Sequence, residues 1–231
     1  MQDSQSSQSI RLNKFLAERL GVSRREADDI IASGKVLVND TPVILGARVD
    51  KNDKVCYNKK IIPFETDFSY IAFNKPVGYV CSRRAQGDAP TLYELLPDDF
   101  KKLKTVGRLD KDSSGLILLT NDGDFAFEMT HPKFYKEKIY EVVLDHDLEP
   151  LHQQMISDFG IQLEDGVSKF TVIHEDGDRK YFKVILSEGR NRQIRRTFAA
   201  LGYKVTGLHR IQFGKYQLSG LKEGQWVEIH K

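Results

Sequence analysis

The sequence predicts an α+β protein in two parts. A small N-terminal domain of helices plus a short sheet precedes a larger domain built on a mixed, largely antiparallel sheet with flanking helices. Three observations carry this prediction. Two short runs of helical periodicity and a few alternating strand-like runs share about fifty residues near the N-terminus. After Tyr70, strand-like runs outnumber helical ones. No regular strand–helix–strand alternation appears there, which argues against a parallel α/β sheet.

The elements follow in order. The opening MQDSQSSQS is polar, with Asp3 its one charged side chain, and residues 1–9 read as a disordered tail. They lack the basic start and apolar centre of a signal peptide. Leu12, Phe15, Leu16 and Leu20 recur at helical spacing, and Gly21 stops that helix. Ser23-Arg24-Arg25-Glu26 has the form of a capping box, with Ser23 at the N-cap and Glu26 at N3. Ala27, Ile30 and Ile31 continue an apolar face until Gly34. Val36 and Val38 alternate with polar neighbours, Asn39-Asp40 can turn, and a strand is expected to resume over Val43–Leu45. The compact module thus covers residues 10–60, and 61–69 (IIPFETDFS) read as a strand end and linker to a domain over 70–231. In YIAFNKPVGYVCS the strand from Tyr70 must end or turn at Lys75-Pro76, because proline has no N–H for the ladder. Further strands are expected over Gly115–Leu119, Tyr140–Leu144, Phe170–Ile173 and Tyr181–Leu186, with helices over Leu148–Asp158 and Arg192–Leu201.

Composition narrows the function classes. The 231 residues suit one medium domain plus a small one, and a formal net charge of +2 means that any basic surface is local. Cys56 and Cys81 make no paired framework, which points to a reducing compartment such as the cytoplasm. No apolar run approaches membrane-spanning length, so no membrane partner is expected.

One basic cluster is local to the N-terminal module. Arg11 and Lys14 sit one turn apart, and Arg24 and Arg25 occupy the first turn of the second helix, where the macrodipole favours acids. Arginines set against the dipole suggest that an anion is expected there; the plainer reading is a solvated helix face. The order RLNKFLAERLGVSRREADDIIASGKVLVN resembles the small RNA-binding domain named after ribosomal protein S-four. That resemblance implies binding to structured RNA through phosphates and shape, with Arg11, Lys14, Ser23, Arg24, Arg25, Lys35 and Asn39 as contacts.

The stretch GRLDKDSSGLILLTN, residues 107–121, crowds carboxylates in front of a strand. A calcium loop would need a bidentate glutamate twelve positions along, but counting from Asp110 that position is Asn121. It would also need helices on both sides, whereas Leu116–Leu119 are strand-like. Spacing alone favours a structural loop with capping aspartates over a catalytic one. Paired carboxylates also suggest a glycosidase, but no other sugar-site signature accompanies them. His131 and His209 lack metal-ligand spacing, and no metal site is expected.

Three further segments change that balance. NKPVGYV, VGRLDKDSSGLILLTNDGDFA and KIYEVVL, followed by SEGRNRQIRR, occur in that order and resemble the RsuA family of ribosomal RNA pseudouridine synthases across nearly the whole chain. The resemblance implies that a uridine base is detached from its ribose, turned over and rejoined through carbon, with no cofactor or metal. Asp110 would be the essential carboxylate, as nucleophile or as base. Either role needs it ionised, desolvated and aimed, and hence a fixed cation nearby. Arg195 is the family-aligned cation, with Arg196 its competitor. Tyr140 would pack on the target base, and Arg108 would enter the space left when the uridine leaves the stack. Arg190, Asn191 and Arg192 would contact RNA. Lys75-Pro76 would shape the pocket floor without Lys75 being catalytic, Asp112 would cap the loop, and Trp226 would pack near the C-terminus. GRNRQIRR and the LEDG segment look more like the large-subunit branch, since the small-subunit branch usually has histidine where this chain has Arg192. The implied partner is ribosomal RNA or a ribosomal subunit precursor; a ribosome-assembly factor that kept the fold and lost the chemistry is the alternative.

Overall fold

The computed structural model describes residues 9–65, 67–83, 86–174 and 178–231. Apart from Ser9, the tail expected to be disordered lies outside the described residues. The chain divides into two compact units, one of residues 1–68 with 121–123 and one of 69–120 with 124–231.

In the N-terminal unit, helices α1 (Leu12–Arg19) and α2 (Arg24–Ala32) form where the apolar spacing places them. Leu12, Phe15 and Leu16 of α1 and Ala27 and Ile31 of α2 enter one core with Val36, Val49 and Val55. The capping box is formed. The Glu26 N–H donates to Ser23 Oγ at 3.1 Å, and the Ser23 N–H donates to Glu26 Oε2 at 2.7 Å. Such a cap stabilises a helix by about 1 kcal/mol. Beside the short pair β1 (Ile10–Arg11) and β4 (Arg48–Val49), four antiparallel strands line up as β3 (Thr41–Pro42), β2 (Val36–Val38), β5 (Val55–Tyr57) and β6 (Lys60–Ile62). Asn39 and Asp40 turn the β2–β3 hairpin at φ 52° and 63°, the left-handed pair that a tight hairpin requires. The strand expected over Val43–Leu45 is not there. The hairpin ends at Pro42, which has no donor to extend it, and Ile44 and Leu45 lie in an exposed loop.

The second unit is built on one mixed sheet. Its strands are β7 (Tyr70–Lys75), β8 (Lys104–Val106), β9 (Ser114–Thr120), β10 (Lys138–Leu144), β13 (Thr171–His174), β14 (Tyr181–Leu186), β15 (Val205–Phe213), β16 (Tyr216–Gln217) and β17 (Trp226–Glu228). The order is β13–β14–β10–β15–β9–β7–β17, with β8 beside β9 and β16 beside β15; a separate hairpin pairs β11 (Ile161–Leu163) with β12 (Gly166–Ser168). Within the main sheet, among the described residues, only β15–β9 is parallel. Ile71, Phe73, Ile117 and Leu119 share one core with Ile194 and Phe198 of α5 (Gln193–Ala200). Ala72, Leu116 and Leu118 share another with Phe125 and Met129 of α3 (Gly123–Thr130). Both faces are covered, so YIAF and GLILL read as continuous apolar runs rather than alternating ones.

The helical run near residue 150 is α4 (Pro150–Gln154), continued by a π-helical turn over Met155–Phe159. Trp226 lies on β17 with its ring edge-on to Phe100 at 4.6 Å. Among the described residues no helix is long and apolar enough to cross a membrane.

Candidate active site

The β8–β9 loop, residues 107–113, is held at several of its peptides. A turn closes it, the Ser113 N–H donating to the Asp110 carbonyl oxygen at 3.1 Å. The Gly78 N–H donates to the Lys111 carbonyl at 2.7 Å, and the Leu109 N–H donates to Cys81 Sγ at 3.4 Å. Beneath the loop lies Lys75, fully buried, its Nζ donating to the carbonyls of Ser113 (2.7 Å) and Pro76 (2.9 Å). Burial pushes its pKa down, opposed by Cys81, Asp110 and Asp112. The Lys-Pro pair therefore ends β7 and supports the loop from below. Downstream, Gly115 sits at φ 105° against β15, and a Cβ there would overlap the Arg210 backbone. The parallel β9–β15 pair draws the loop close to β15 for that reason.

Arginines from the β14–α5 connection close the other side. Arg192 grips Asp112 in a fork, Nη1 to Oδ1 and Nη2 to Oδ2, both at 2.9 Å, and its Nη1 lies 3.5 Å from Asp110 Oδ2. Arg195 donates from Nη2 to the Asp112 carbonyl and from Nη1 to the Val205 carbonyl, each at 2.7 Å. Its Nε is 3.4 Å from Asp112 Oδ2 but lacks hydrogen-bond geometry. Arg192 is thus the residue ion-paired with Asp110, while Arg195, the cation expected from the resemblance, hydrogen-bonds Asp112 and also feels the Asp110 charge. The cause is backbone conformation. Arg192, at the N-cap of α5, is left-handed (φ 47°, ψ 32°), costing roughly 1–2 kcal/mol for a non-glycine residue and setting Arg192 apart from the helical arginines. The hydrogen bond from Arg192, then the pull of Arg195, holds the Asp112 carboxyl below the usual aspartate range.

Two other arginines of the run are used internally. Arg190 Nη1 donates to Asp165 Oδ1 (3.0 Å) and to the carbonyls of Asp165 and Gly166 (3.1 Å each), and its Nη2 donates to the Val167 carbonyl at 2.9 Å. Arg196 forks onto Asp165 at 3.0 and 2.7 Å. Both pin the β11–β12 hairpin, so the Arg190 guanidinium, expected to contact RNA, is engaged within the chain. The Asn191 side chain is exposed while its carbonyl accepts from Arg196 Nε at 2.8 Å. Arg108 is exposed and, among the described residues, makes no hydrogen bond or ion pair.

Asp110 stands at the edge of a cavity of about 430 Å³. Tyr140, on β10, lines it with Arg108, Arg192, Leu186, Ile194 and Leu208. Three further lining residues, Lys138, Arg210 and Phe213, carry no functional expectation from sequence. A signal for Lys138 exists, two positions before Tyr140 on the same strand face. Arg210 and Phe213 depend on β15 pairing with β10, which no local pattern reveals. Lys75 lies under the loop and does not line this cavity. Among the described residues no three His, Cys, Asp or Glu side chains gather as metal ligands.

In the N-terminal unit, Arg11, Arg25 and Lys35 are exposed, and their side chains have no ion-pair or hydrogen-bond partners among the described residues. Arg24 Nη2 donates to Asn13 Oδ1 at 3.2 Å, and Lys14 lies 4.0 Å from Glu18. Ser23 and Asn39, expected to meet RNA, also make internal hydrogen bonds. Ser23 caps α2, while Asn39 donates to Asp53 and accepts from the Lys54 N–H, fixing its turn.

Residues 69–200 match the family model described as RNA pseudouridylate synthase, and residues 10–60 match the S4 domain. The ribosomal small subunit pseudouridine synthase A of Pasteurella multocida (strain Pm70) is 37% identical over 95% of this chain and 96% of its own. The ribosomal large subunit pseudouridine synthase B of Buchnera aphidicola subsp. Baizongia pistaciae (strain Bp) is 35% identical over 96% of this chain and 94% of its own. Relatives named for both subunits therefore lie at nearly the same distance, and identity does not carry the expected large-subunit preference. A crystal structure of a pseudouridylate synthase, 32% identical, matches over 96% of both chains with a TM-score of 0.68.

Proposed function

The chain belongs to the RNA pseudouridylate synthase family, and from that premise we propose that it isomerises a uridine of ribosomal RNA to pseudouridine, with residues 70–231 as the catalytic domain and 10–60 as the RNA-holding one. The observation that carries this reading is the placement of Asp110. Its carboxylate faces a cavity beside Tyr140, on a loop fixed by backbone bonds, 3.5 Å from an arginine that is itself anchored by a second carboxylate. A preorganised charge of this kind need not reorganise during reaction.

The reaction is an isomerisation and balances without a cofactor. The C1′–N1 bond breaks, a C1′–C5 bond forms, C5 loses its proton and N1 gains one. Asp110 serves as nucleophile or as base. Arg192 pairs with it, Arg195 fixes the loop through Asp112, and Tyr140 packs on the base. Arg108, with no partner among the described residues, is suited to enter the space the uridine vacates. Arg11, Lys14, Arg24, Arg25 and Lys35 meet phosphates. Ribosomal RNA as substrate places the reaction in the cytoplasm. The test maps pseudouridine in ribosomal RNA from cells with and without the protein, then repeats the conversion with purified protein. Loss of one site in the deletion and its restoration in vitro are expected; an unchanged map overturns the reading.

A further inference from the structure

The cavity that Asp110 borders is also lined by two cations with no role in the steps above, Lys138 and Arg210. Lys138 and Tyr140 are two apart on β10, and their cross-strand partners on β15 are Phe213 and Arg210. The register shift between Ile139 and Tyr140 inserts one extra residue into β15, so residues three apart there oppose residues two apart on β10. All four side chains border the same cavity.

Arg210 is 2% exposed. Its Nε donates to the Leu116 carbonyl at 2.7 Å and its guanidinium carbon lies 4.8 Å from the Phe213 ring centre. Its Nη2 is buried and has no hydrogen-bond partner, and no carboxylate among the described residues pairs with it. Beside it, Lys138 Nζ lies 5.3 Å from the same ring and reaches the carbonyls of Lys136, Ser187 and Glu188 only at 3.3–3.4 Å. Two neighbouring cations in a largely desolvated place, one with a spare donor, are costly unless negative charge arrives. The remaining walls decide which kind. Tyr140, Leu186, Ile194, Leu208 and Phe213 offer flat apolar surface, which suits a planar base rather than a phosphodiester.

We propose that Arg210, assisted by Lys138, holds a carbonyl oxygen of the target uracil and stabilises the negative charge on the base after its bond to C1′ breaks. This rests on the isomerase reading. When C1′–N1 breaks, the electron pair stays with the base and spreads onto O2 and O4. Cations beside those oxygens stabilise the charge as it develops, so they favour the transition state over bound uridine. They also retain the detached base while it turns to present C5. Lys138 must be protonated to contribute. Burial and then Arg210 hold its pKa down at about 8, with Glu188 opposing. The other charged groups bordering the cavity are Arg108 and Asp110 from the β8–β9 loop and Arg190 and Arg192 from the β14–α5 connection. With the protonated form active, the rate is full below about pH 8 and falls as pH rises through it.

The test compares ribosomal RNA transcripts carrying uridine or 5-fluorouridine, whose more acidic base leaves with less help. Cleavage of the N-glycosidic bond is read in single turnovers, alongside RNA affinity. Arg210→Gln is expected to slow cleavage of uridine by about 10²–10³-fold and to lose at least about tenfold less on the fluorinated transcript, with affinity nearly unchanged. Lys138→Gln should lower the rate about tenfold and remove the fall above about pH 8, while Lys138→Arg keeps activity there. Arg210→Lys preserves the charge and guards against a folding defect, and its deficit should lie between wild type and Arg210→Gln. Equal deficits on both transcripts, or a loss of affinity with a shallower salt dependence, overturn the proposal in favour of a positioning or phosphate role. Should Arg210→Gln unfold, the two lysine variants decide. Failure of the wild-type protein to isomerise the uridine transcript counts against the isomerase reading instead.

Discussion

Two sets of cations, one in each unit, are held in opposite ways. In the N-terminal module Arg11, Arg25 and Lys35 stand in solvent with side chains unengaged among the described residues. In the second unit Arg190, Arg192, Arg195 and Arg196 are each tied to an aspartate or to carbonyls. The first arrangement suits affinity. A solvated cation can adapt to a phosphate and release counterions, at low cost in orientation. The second suits chemistry, because a charge that must act on one atom gains from having its geometry fixed beforehand. Charge count alone does not separate the two, since both are arginine-rich; the partners do.

The largest break in that comparison is at Asp110. Asp110→Asn is almost isosteric but removes the negative charge and the reactive oxygen. Single-turnover isomerisation should fall by about 10⁴-fold or more, with RNA affinity within about threefold. A variant that still converts uridine at a measurable fraction of the parent rate would show that this carboxylate is not the essential one. Asp112→Ala comes next. It releases the Arg192 fork and one hold on Arg195 without touching Asp110, and a displacement of the order of 1 Å costs about 10²-fold in rate. Asp112→Asn, which keeps an acceptor, should lose less. The sign of the pH dependence follows from the lowered Asp112 pKa. Its contribution is in place above the ordinary aspartate value of about 3.9 and is lost as pH falls through the folded value. Loop amides should therefore lose protection, relative to their intrinsic exchange rates, only in acid. Equal rates for Asp112→Ala and the parent would remove Asp112 from the site.

What the sequence can and cannot reveal divides along the same line. Both N-terminal helices, the Ser23–Glu26 box and most strand positions follow from local spacing, and the structure has them. Asp110 and Tyr140 are marked by motif resemblance rather than by spacing, which alone favours a structural loop. The ion pairs are not legible. Arg192 and Asp112 are 80 residues apart, Arg190 and Asp165 are 25 apart, and the left-handed Arg192 stands outside the helical run that holds Arg195 and Arg196. Arg210 faces Tyr140 only through a long-range pairing with a bulge. Val43–Leu45 fails for a simpler reason, since β-branched residues raise strand propensity but Pro42 ends the ladder.

A smaller effect is expected from the solvated cations. Neutralising Arg11, Arg24 and Arg25 together to Gln should weaken RNA binding and lower the slope of log affinity against log salt by about 0.7–0.9 for each phosphate left unneutralised. Single-turnover rates at saturating enzyme should change by less than about threefold, because none of the three lies in the loop or the cavity. Binding titrations at several salt concentrations, paired with single-turnover kinetics, make the measurement. An unchanged slope with a collapsed chemical step would reverse the comparison and give the N-terminal module a part in the chemistry.

The smallest effect on RNA binding is expected at Arg190, and it sharpens the comparison most, because the sequence alone places this residue among the RNA contacts. Its guanidinium is occupied by Asp165 and by the carbonyls of Asp165, Gly166 and Val167, with its side chain only 19% exposed. Arg190→Gln would leave partly buried acceptors without their donor, a loss of about 1–3 kcal/mol, or a fall of roughly 2–12 °C in Tm for a chain of this size. The salt slope of RNA binding should not move. Thermal unfolding and salt-dependent titration of the same variant separate the two roles: a slope lower by about one unit with an unchanged Tm would return Arg190 to the set of cations that wait for RNA.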